Sequence, residues 1–317
     1  MISTTVFGPI NSRRFGASLG VDLSPNLKQC NFDCLYCELG KDVKRVNTQI
    51  DPMISSKILI EIEDGLKRFK NIDVLTFTAN GEPTLYPDLD SLMIQVNRIK
   101  KIYKIKTLIL SNSGNIWMPD MRTTLLKFDK VKLSLDCASQ QCFEKIDRPL
   151  KDINIEAIKS GILDFAKVFK GELFIEILFL DGVNTKKENV LELNRFLLKL
   201  KTVVRIDIGT VERPPAYEVK PVSYNTLYQI SKVFDNSLPI FITKHNEDRT
   251  RKDNLLKSEI LHNLRLRPLT RYDMESLFDK ETNFNLEALV SDGLVEIKNV
   301  GNIEFYQTSK SLRDENI

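Results

Sequence analysis

Short apolar runs alternate with longer amphipathic stretches through most of this 317-residue chain, and this alternation constrains the fold more than any other feature. The runs are rich in β-branched residues and are bounded by Gly, Asn or Asp, which predicts strands that are buried on at least one face. Six runs are clear, and a seventh candidate lies at 239–242. The six are residues 20–23, 74–77, 107–110, 131–135, 173–179 and 204–208.

The stretches between these runs carry apolar residues at three- and four-residue spacing, as in Ile58, Ile62, Leu66 and Phe69, which predicts amphipathic helices. Strands that alternate with helices imply parallel βαβ units with right-handed crossovers. Six such units, rather than eight, indicate an open barrel or a doubly wound sheet. In both folds the ligand binds at the carboxyl ends of the strands. The predicted helices cover residues 55–69, 89–101, 119–127, 153–169, 186–200 and 223–234.

The composition changes after residue 243, where a polar segment at 244–253 is typical of a linker. Three helix-like segments follow, and then two β-like runs that Gly301 separates. This order is the pattern of a winged helix. We therefore predict an α/β barrel-like domain over 1–243, a small winged-helix-like domain over 254–309 and a tail over 310–317. The helix-like segments are 254–264, 270–278 and 284–291, and the β-like runs are 294–297 and 303–306.

The charge and hydropathy patterns exclude some classes of protein. The chain has 46 Lys plus Arg against 43 Asp plus Glu, a formal net charge of +3 that does not by itself indicate nucleic-acid binding. No run approaches the ~20 apolar residues of a membrane helix, and the first residues lack the layout of a signal peptide. We expect a cytoplasmic protein with no membrane partner.

Three of the five cysteines, Cys30, Cys34 and Cys37, have the spacing C-x3-C-x2-C. This spacing can bring three thiolates around one metal centre, as iron–sulfur clusters require, and three ligands leave one iron open. Zinc is the competing metal, but structural zinc needs a fourth Cys or His, and the two histidines lie far along the chain. An odd number of cysteines disfavours a disulfide framework. Two thiols cannot hold a second cluster without help and Cys is a common small buried residue, so we interpret Cys137 and Cys142 as structural thiols.

The cysteine segment, with Tyr36 just before its last cysteine, resembles the radical S-adenosylmethionine (SAM) superfamily. Residues 8–16, residues 18–23 and the segment Asn80-Gly81-Glu82-Pro83-Thr84 resemble one branch, the bacterial iron–sulfur oxidoreductases related to 4-demethylwyosine synthases. The resemblance implies a partial (β/α)6 TIM-like barrel and a [4Fe–4S] cluster held by the three cysteines. It also implies reductive cleavage of SAM to methionine and a 5′-deoxyadenosyl radical.

The resemblance further implies how SAM is held, with its methionine amino and carboxylate groups on the open iron. Asn80, Gly81 and Glu82 correspond to a family segment in which the acidic residue accepts from the amino group and the glycine permits close approach of the backbone. Asn112, and Ser134 with Asp136, stand where the family contacts ribose and the methionine carboxylate. Turn capping explains polar residues at strand ends equally well.

Four more residues are candidates for the site. Tyr36 is expected against the adenine, or packed beside the cluster. Glu176 interrupts an apolar strand, so a side chain that points into the barrel requires a ligand or a partner there. Glu212 and Arg213 close the sixth predicted strand and are substrate-side candidates, with a surface ion pair as the alternative.

Two functions of different classes fit these features. The first is a radical SAM enzyme that abstracts hydrogen from an RNA base, a protein or peptide, or a small metabolite, with electrons from a flavodoxin or ferredoxin. The second is an iron–sulfur redox sensor that binds nucleic acid through the winged helix. Residues 283–292, in the predicted third helix, contain two acids and no Lys or Arg, so we do not expect DNA as a partner. Basic residues cluster upstream instead, at Arg249, Arg251, Lys252, Lys257, Arg265, Arg267 and Arg271.

Overall fold

The structure is a computed structural model that describes residues 5–12, 15–40, 45–242, 254–266, 268–300 and 303–309. The predicted linker at 244–253 and the predicted tail at 310–317 lie outside the described residues. Four of the upstream basic residues, Arg249, Arg251, Lys252 and Arg267, lie outside them as well.

One sheet of eight strands dominates the fold, and its strands lie side by side in the order of the sequence. Strands β2 to β8 are parallel, whereas β1 runs antiparallel to β2. The strands are β1 Val6–Ser12, β2 Gly16–Asp22, β3 Val74–Thr78, β4 Lys106–Ser111, β5 Lys130–Ser134, β6 Glu172–Phe179, β7 Val203–Thr210 and β8 Ile240–Ile242.

The predicted partial barrel is confirmed, since six parallel strands form its body and β8 is the seventh. Within the described residues β1 and β8 do not pair with each other, so the sheet does not close. The sequence prediction missed β1. This strand contains Pro9 and an irregularity between Phe7 and Ile10, and both interrupt the regular alternation that identifies a strand.

In the described part of the chain, seven helices connect the strands of the large sheet. The prediction missed α4, because a helix of two turns is too short to show a clear period of 3.6 residues. The other six coincide with predicted amphipathic stretches. They are α1 Ser55–Arg68, α2 Leu89–Tyr103, α3 Pro119–Leu125, α4 Gln140–Ile146, α5 Ile155–Val168, α6 Lys187–Leu197 and α7 Tyr224–Ser231.

The two faces of the sheet differ in character. Leu19 and Val21 of β2 and Leu133 of β5 belong to the fully buried core that the helices cover. Successive side chains of a strand point to opposite faces, so the intervening positions, such as Lys132 and Asp207, lie on the inner face. The apolar outer face fixes the register of the strands, and the inner face carries polar groups together with apolar side chains such as Phe174.

The C-terminal elements form a second, smaller core. They are α8 Lys257–Leu266, β9 Leu269–Thr270, α9 Arg271–Leu277, α10 Lys280–Ser291, β10 Val295–Val300 and β11 Ile303–Thr308. β10, β11 and β9 form an antiparallel sheet in that order. The prediction missed β9 and began the third helix late, after the cap in which the Asp279 side chain accepts from the Thr282 N–H. The assignment of this region to the winged-helix fold stays a prediction.

Helix α8 packs against the antiparallel edge of the large sheet. The Gly8 N–H donates to Asn263 Oδ1 at 3.1 Å, and Arg68 pairs with Glu259 at 2.7 Å. Phe69 packs against the smaller core. Among the described residues, no helix has both the length and the apolar character that are needed to cross a membrane.

Candidate active site at the cluster loop

Residues 28–40, here called the cluster loop, follow β2 at the carboxyl edge of the parallel strands and carry three free, partly exposed cysteines. The Gln29 N–H donates to the Asn80 carbonyl at 2.9 Å, and the Gln29 carbonyl accepts from the Glu82 N–H at 3.0 Å. The Cys37 N–H donates to the Cys34 carbonyl at 3.1 Å. The backbone of the loop is therefore attached to the segment that follows β3.

Burial dominates the electrostatics of two of the thiols. It raises the pKa of Cys30 to about 12, and the negative charge of Glu82 acts in the same direction. Burial raises the pKa of Cys34 well above its usual value, and Asp147 contributes to the same shift. A bound metal centre supplies the positive charge that thiolates need in such a site.

The donor set fits a cluster better than a single ion. In the described part of the chain, no three Cys, His, Asp or Glu side chains are grouped so that they could hold one metal ion. An iron–sulfur cluster binds each cysteine through a different iron, so its ligands are spread more widely. Cys30 Sγ also accepts from the Phe32 N–H at 3.4 Å, a contact that favours a charged sulfur.

Gly81 lies where no other residue fits. Its φ of +133° is in the region that favours glycine, and a Cβ atom at this position would lie 1.7 Å from the Gln29 carbonyl oxygen. The close approach that the sequence predicted at Gly81 is an approach to the cluster loop itself. Asn80 takes part through its backbone, since its carbonyl accepts from Gln29 and its N–H donates to Asp22 Oδ1 at 2.9 Å.

The Glu82 side chain is 1% exposed and ties two loops together. It accepts from the Thr84 N–H and hydroxyl at 3.0 and 2.6 Å, and from the Ser111 hydroxyl at 2.8 Å. Its other oxygen accepts from the Asn112 N–H at 2.7 Å. Burial raises the pKa of Glu82 despite these donors. The acceptor role of Glu82 toward the SAM amino group stays a prediction beside this positioning role.

Asn112 connects the loop after β4 to the cluster loop. Its Nδ2 donates to Asn31 Oδ1 at 2.7 Å and lies 3.6 Å from Cys30 Sγ. Asn31 is fully buried. The structure thus places Asn112 beside Cys30 and adds Asn31 as its partner. The contact of Asn112 with SAM stays a prediction.

A small pocket opens beside the cysteines. Tyr36 donates its hydroxyl hydrogen to Asp136, whose other oxygen accepts from the Leu178 N–H at 2.7 Å. Four predicted site residues meet here. The lining residues are Phe32, Tyr36, Asn112, Ser134, Leu135, Asp136, Phe143, Asp147, Ile155 and Ile158. Apolar walls with a few convergent polar groups are typical of a ligand site.

Sequence reasoning missed Asp147 in this pocket. Asp147 Oδ1 lies 3.5 Å from Cys34 Sγ and 3.4 Å from the Tyr36 hydroxyl. Burial, followed by the charge of Asp136, raises the pKa of Asp147 well above its usual value. Burial likewise raises the pKa of Asp136, to about 6. Asp147 directly follows α4, the helix that the sequence prediction also missed, so no pattern placed it near the cysteines.

Glu176 is not among the lining residues, but it adjoins the pocket, since its carbonyl accepts from the Leu135 N–H at 2.9 Å. Its side chain pairs with Lys132 on the neighbouring strand, and Lys132 Nζ lies 3.9 Å from Asp207 Oδ2. Glu176 therefore has the partner that its position in an apolar strand required. Lys132 and Asp207 were missed, because a charged residue within a strand does not by itself reveal its neighbour on the next strand.

The two substrate-side candidates lie on a segment that covers the cluster loop. Arg213 pairs with Glu38 of this loop at 2.8 Å. The Ala216 N–H donates to the Cys37 carbonyl at 2.7 Å, and the Tyr217 hydroxyl donates to Asp33. The pair between Arg213 and Glu38 agrees with the ion-pair alternative for Arg213. A substrate role for Glu212 and Arg213 stays a prediction.

Cys137 and Cys142 form a disulfide, which corrects their interpretation as structural thiols. Cys137 follows β5 and Cys142 lies in α4, so the missed helix brings the two together. Both residues are buried, and neither belongs to the set of three free cysteines.

The match to the Radical SAM superfamily spans residues 27–193, which include the cluster loop and strands β3 to β6. A UPF0026 protein of Helicobacter pylori is 39% identical over 95% of this chain and 96% of its own length. A UPF0026 protein of Methanocaldococcus jannaschii is 28% identical over 99% of both chains. This chain belongs to the radical SAM superfamily.

A solved structure supports the fold independently. The radical SAM methyltransferase from Sphaerobacter thermophilus aligns with a TM-score of 0.54 and 13% identity, over 71% of this chain and 66% of that one. The chain is therefore a radical SAM enzyme, and its cofactors are a [4Fe–4S] cluster and SAM. Cys30, Cys34 and Cys37 are the three free cysteines that could hold the cluster. Binding of SAM in the pocket beside them stays a prediction.

The folded state is expected to lose stability between about pH 4 and pH 6 through Asp22, at the end of β2. Burial raises the pKa of Asp22 to about 6, against hydrogen bonds from the Ser24 and Asn80 N–H groups and the charge of Arg265. Between the ordinary pKa of 3.8 in the unfolded state and the raised pKa of about 6 in the folded state, the folded state binds more protons than the unfolded state. The free energy of unfolding therefore falls as pH rises through this range. The loss amounts to about 3 kcal/mol.

Urea unfolding of the wild type and of Asp22→Asn at several pH values measures this loss. The variant keeps the Oδ1 acceptor that serves both N–H groups. We expect the variant to gain stability over the wild type as pH rises from 4 to 6. A difference between the two proteins that does not change with pH would contradict the assignment.

Proposed function

We propose that this enzyme initiates radical chemistry on a substrate by reductive cleavage of SAM. A cluster held by Cys30, Cys34 and Cys37 would supply one electron to the SAM sulfonium. Cleavage of the S–C5′ bond would then give methionine and a 5′-deoxyadenosyl radical, which would take a hydrogen atom from the substrate. The reaction type that we propose is that of an oxidoreductase or lyase. The proposed electron donor is of the flavodoxin or ferredoxin class.

One observation carries this proposal: the pocket lined by Tyr36, Asn112, Ser134 and Asp136 adjoins the three free cysteines. A ligand in this pocket lies within reach of a cluster on the cysteines. Asn112 touches Cys30, and Tyr36 is followed directly by Cys37, so residues that line the pocket adjoin two of the cysteines. We assign Asp136 and Tyr36 to positioning SAM, with Asp147 as a further polar group.

The substrate that we propose is an RNA base, a protein or peptide, or a small metabolite. The dual-specificity RNA methyltransferase RlmN of Buchnera aphidicola is 24% identical over 56% of this chain and 50% of its own length. This partial similarity is compatible with an RNA substrate. Methyl transfer is a separate outcome of the test below.

Anaerobic protein with a reconstituted cluster is expected to convert SAM to 5′-deoxyadenosine and methionine when dithionite is added. Mass spectrometry detects both products. Cys37→Ala serves as the matched control, because it lacks one of the three cysteines that are proposed to bind the cluster. RNA, protein and metabolite fractions from cells grown in heavy water then locate the substrate, because 5′-deoxyadenosine gains deuterium only from the fraction that contains it.

S-adenosylhomocysteine as the main product, with no 5′-deoxyadenosine, would overturn the proposal in favour of simple methyl transfer. The regulator alternative is not supported, since the superfamily match identifies an enzyme. Helix α10 carries Glu281 and Glu287, with Lys280 at its first position. A major-groove helix would require more positive charge than this.

A further inference from the structure

The side chain of Lys28 reaches the last of the three cluster cysteines. Lys28 Nζ donates to Cys37 Sγ at 3.1 Å and to the Gly40 carbonyl at 2.6 Å. Within the residues that the structure describes, no other lysine or arginine donates to a cluster cysteine. The substrate chemistry proposed above makes no use of this contact.

The backbone at both ends of this contact is fixed. Gln29, next to Lys28, is held from both sides by the segment after β3, and the Cys37 carbonyl accepts from the Ala216 N–H at 2.7 Å. Lys28 is half-buried, so solvent screens its charge less than it screens an exposed lysine. The ammonium therefore lies in a preorganised position beside the sulfur.

The three cysteines face charges of opposite sign. Cys34 lies 3.5 Å from an Asp147 oxygen, and the charge of Glu82 acts on Cys30. Cys37 instead faces the Lys28 ammonium. Reduction adds one negative charge to a cluster, so a neighbouring cation stabilises the reduced form and a carboxylate opposes it. Hydrogen bonds to the sulfurs also change the reduction potential of a cluster.

We propose that Lys28 sets the reduction potential of the cluster and makes it more positive. The positive charge offsets the nearby carboxylates, so that a protein reductant of low potential can deliver the electron. Lys28 acts through the positive charge that it holds beside Cys37, and it is not a ligand of the cluster. This inference depends on the cluster alone and is independent of the fate of SAM and of the substrate.

The test is a redox titration of the anaerobically reconstituted protein without SAM at one fixed pH, followed by the paramagnetic signal of the reduced cluster. In Lys28→Met we expect the ratio of reduced to oxidised cluster at a given potential to fall about tenfold, which is about 59 mV for a one-electron couple. Lys28→Arg keeps the charge and is expected to stay within about twofold of the wild type.

Lys67→Met is the matched control for the loss of one positive charge, because Lys67 is exposed in the last turn of α1. This turn leads to the amino end of β3, whereas the cluster loop lies at the carboxyl ends of the strands. The midpoint potential of Lys67→Met is expected to equal that of the wild type. An unchanged potential in Lys28→Met overturns the proposal and leaves Lys28 with a structural contact to Gly40. If Lys28→Met fails to take up iron, Lys28→Gln is titrated instead, and an unchanged potential there has the same meaning.

Discussion

Replacement of Cys30, Cys34 or Cys37 by alanine is expected to abolish the iron–sulfur cluster. The wild type is expected to take up about four iron and four sulfide per chain on anaerobic reconstitution, the content of one [4Fe–4S] cluster. Each variant loses one of the three free thiols of the cluster loop, and no fourth free cysteine stands in the described chain to replace it. Iron and sulfide analysis, together with the visible absorbance of the cluster, measures the loss.

The double variant Cys137→Ala/Cys142→Ala is the matched control. It also removes two cysteines, but these form the disulfide between the end of β5 and helix α4. We expect it to keep its full iron content. Equal loss of iron in this control and in the cluster variants would show that the cluster has more protein ligands than the three cysteines of the loop.

Alanine at Gly81 is expected to destabilise the fold severely and to prevent cluster assembly. The added Cβ would lie 1.7 Å from the Gln29 carbonyl oxygen, and φ is +133°. The clash is with backbone atoms of Gln29 and not with a flexible side chain, so the backbone must shift to relieve it. We expect a loss of about 4 kcal/mol in the free energy of unfolding, at the upper end of the effects of single substitutions. The shift of Gln29 also displaces the neighbouring Cys30.

Gly182→Ala separates the clash from the effect of a positive φ. Gly182 also has a positive φ, +68°, but a Cβ there would meet nothing within 4 Å. Its alanine variant is expected to lose only about 1 kcal/mol and to take up iron normally. Urea unfolding of the cluster-free proteins, followed by iron analysis after reconstitution, tests both variants. Equal stability of the two would sink the explanation of Gly81 by its contact with Gln29.

The parallel strands could be predicted, and the three-cysteine motif could be identified, because their signals are local. Cys30, Cys34 and Cys37 lie within eight residues, so their spacing is visible without any fold. The strands and most helices appear as periodic burial, which depends on neighbouring residues only. The periodic pattern did not identify α4, which is too short to show a clear period. It also did not identify β1, in which an irregularity breaks the alternation of side chains.

The position of polar residues at strand ends was also predictable in part. Parallel strands bring their carboxyl ends to one edge, where a ligand binds, and Asn112, Ser134 and Asp136 were expected to contact SAM there or to cap turns. The pocket does bring these three together. Glu176 was identified as a residue that needs a partner, but the register between strands was required to find Lys132.

The sequence by itself determined the class of fold and the three-cysteine motif, because periodicity and cysteine spacing are properties of short segments. Only the tertiary structure decided which side chains meet across long separations. Asp147 beside Cys34, and Gly81 against Gln29, bring together residues that are far apart in the chain. Lys28 and Cys37 are close in sequence, yet their contact depends on the path of the loop between them. Periodicity reports which face of an element is buried, whereas a contact depends on the packing of all the elements together.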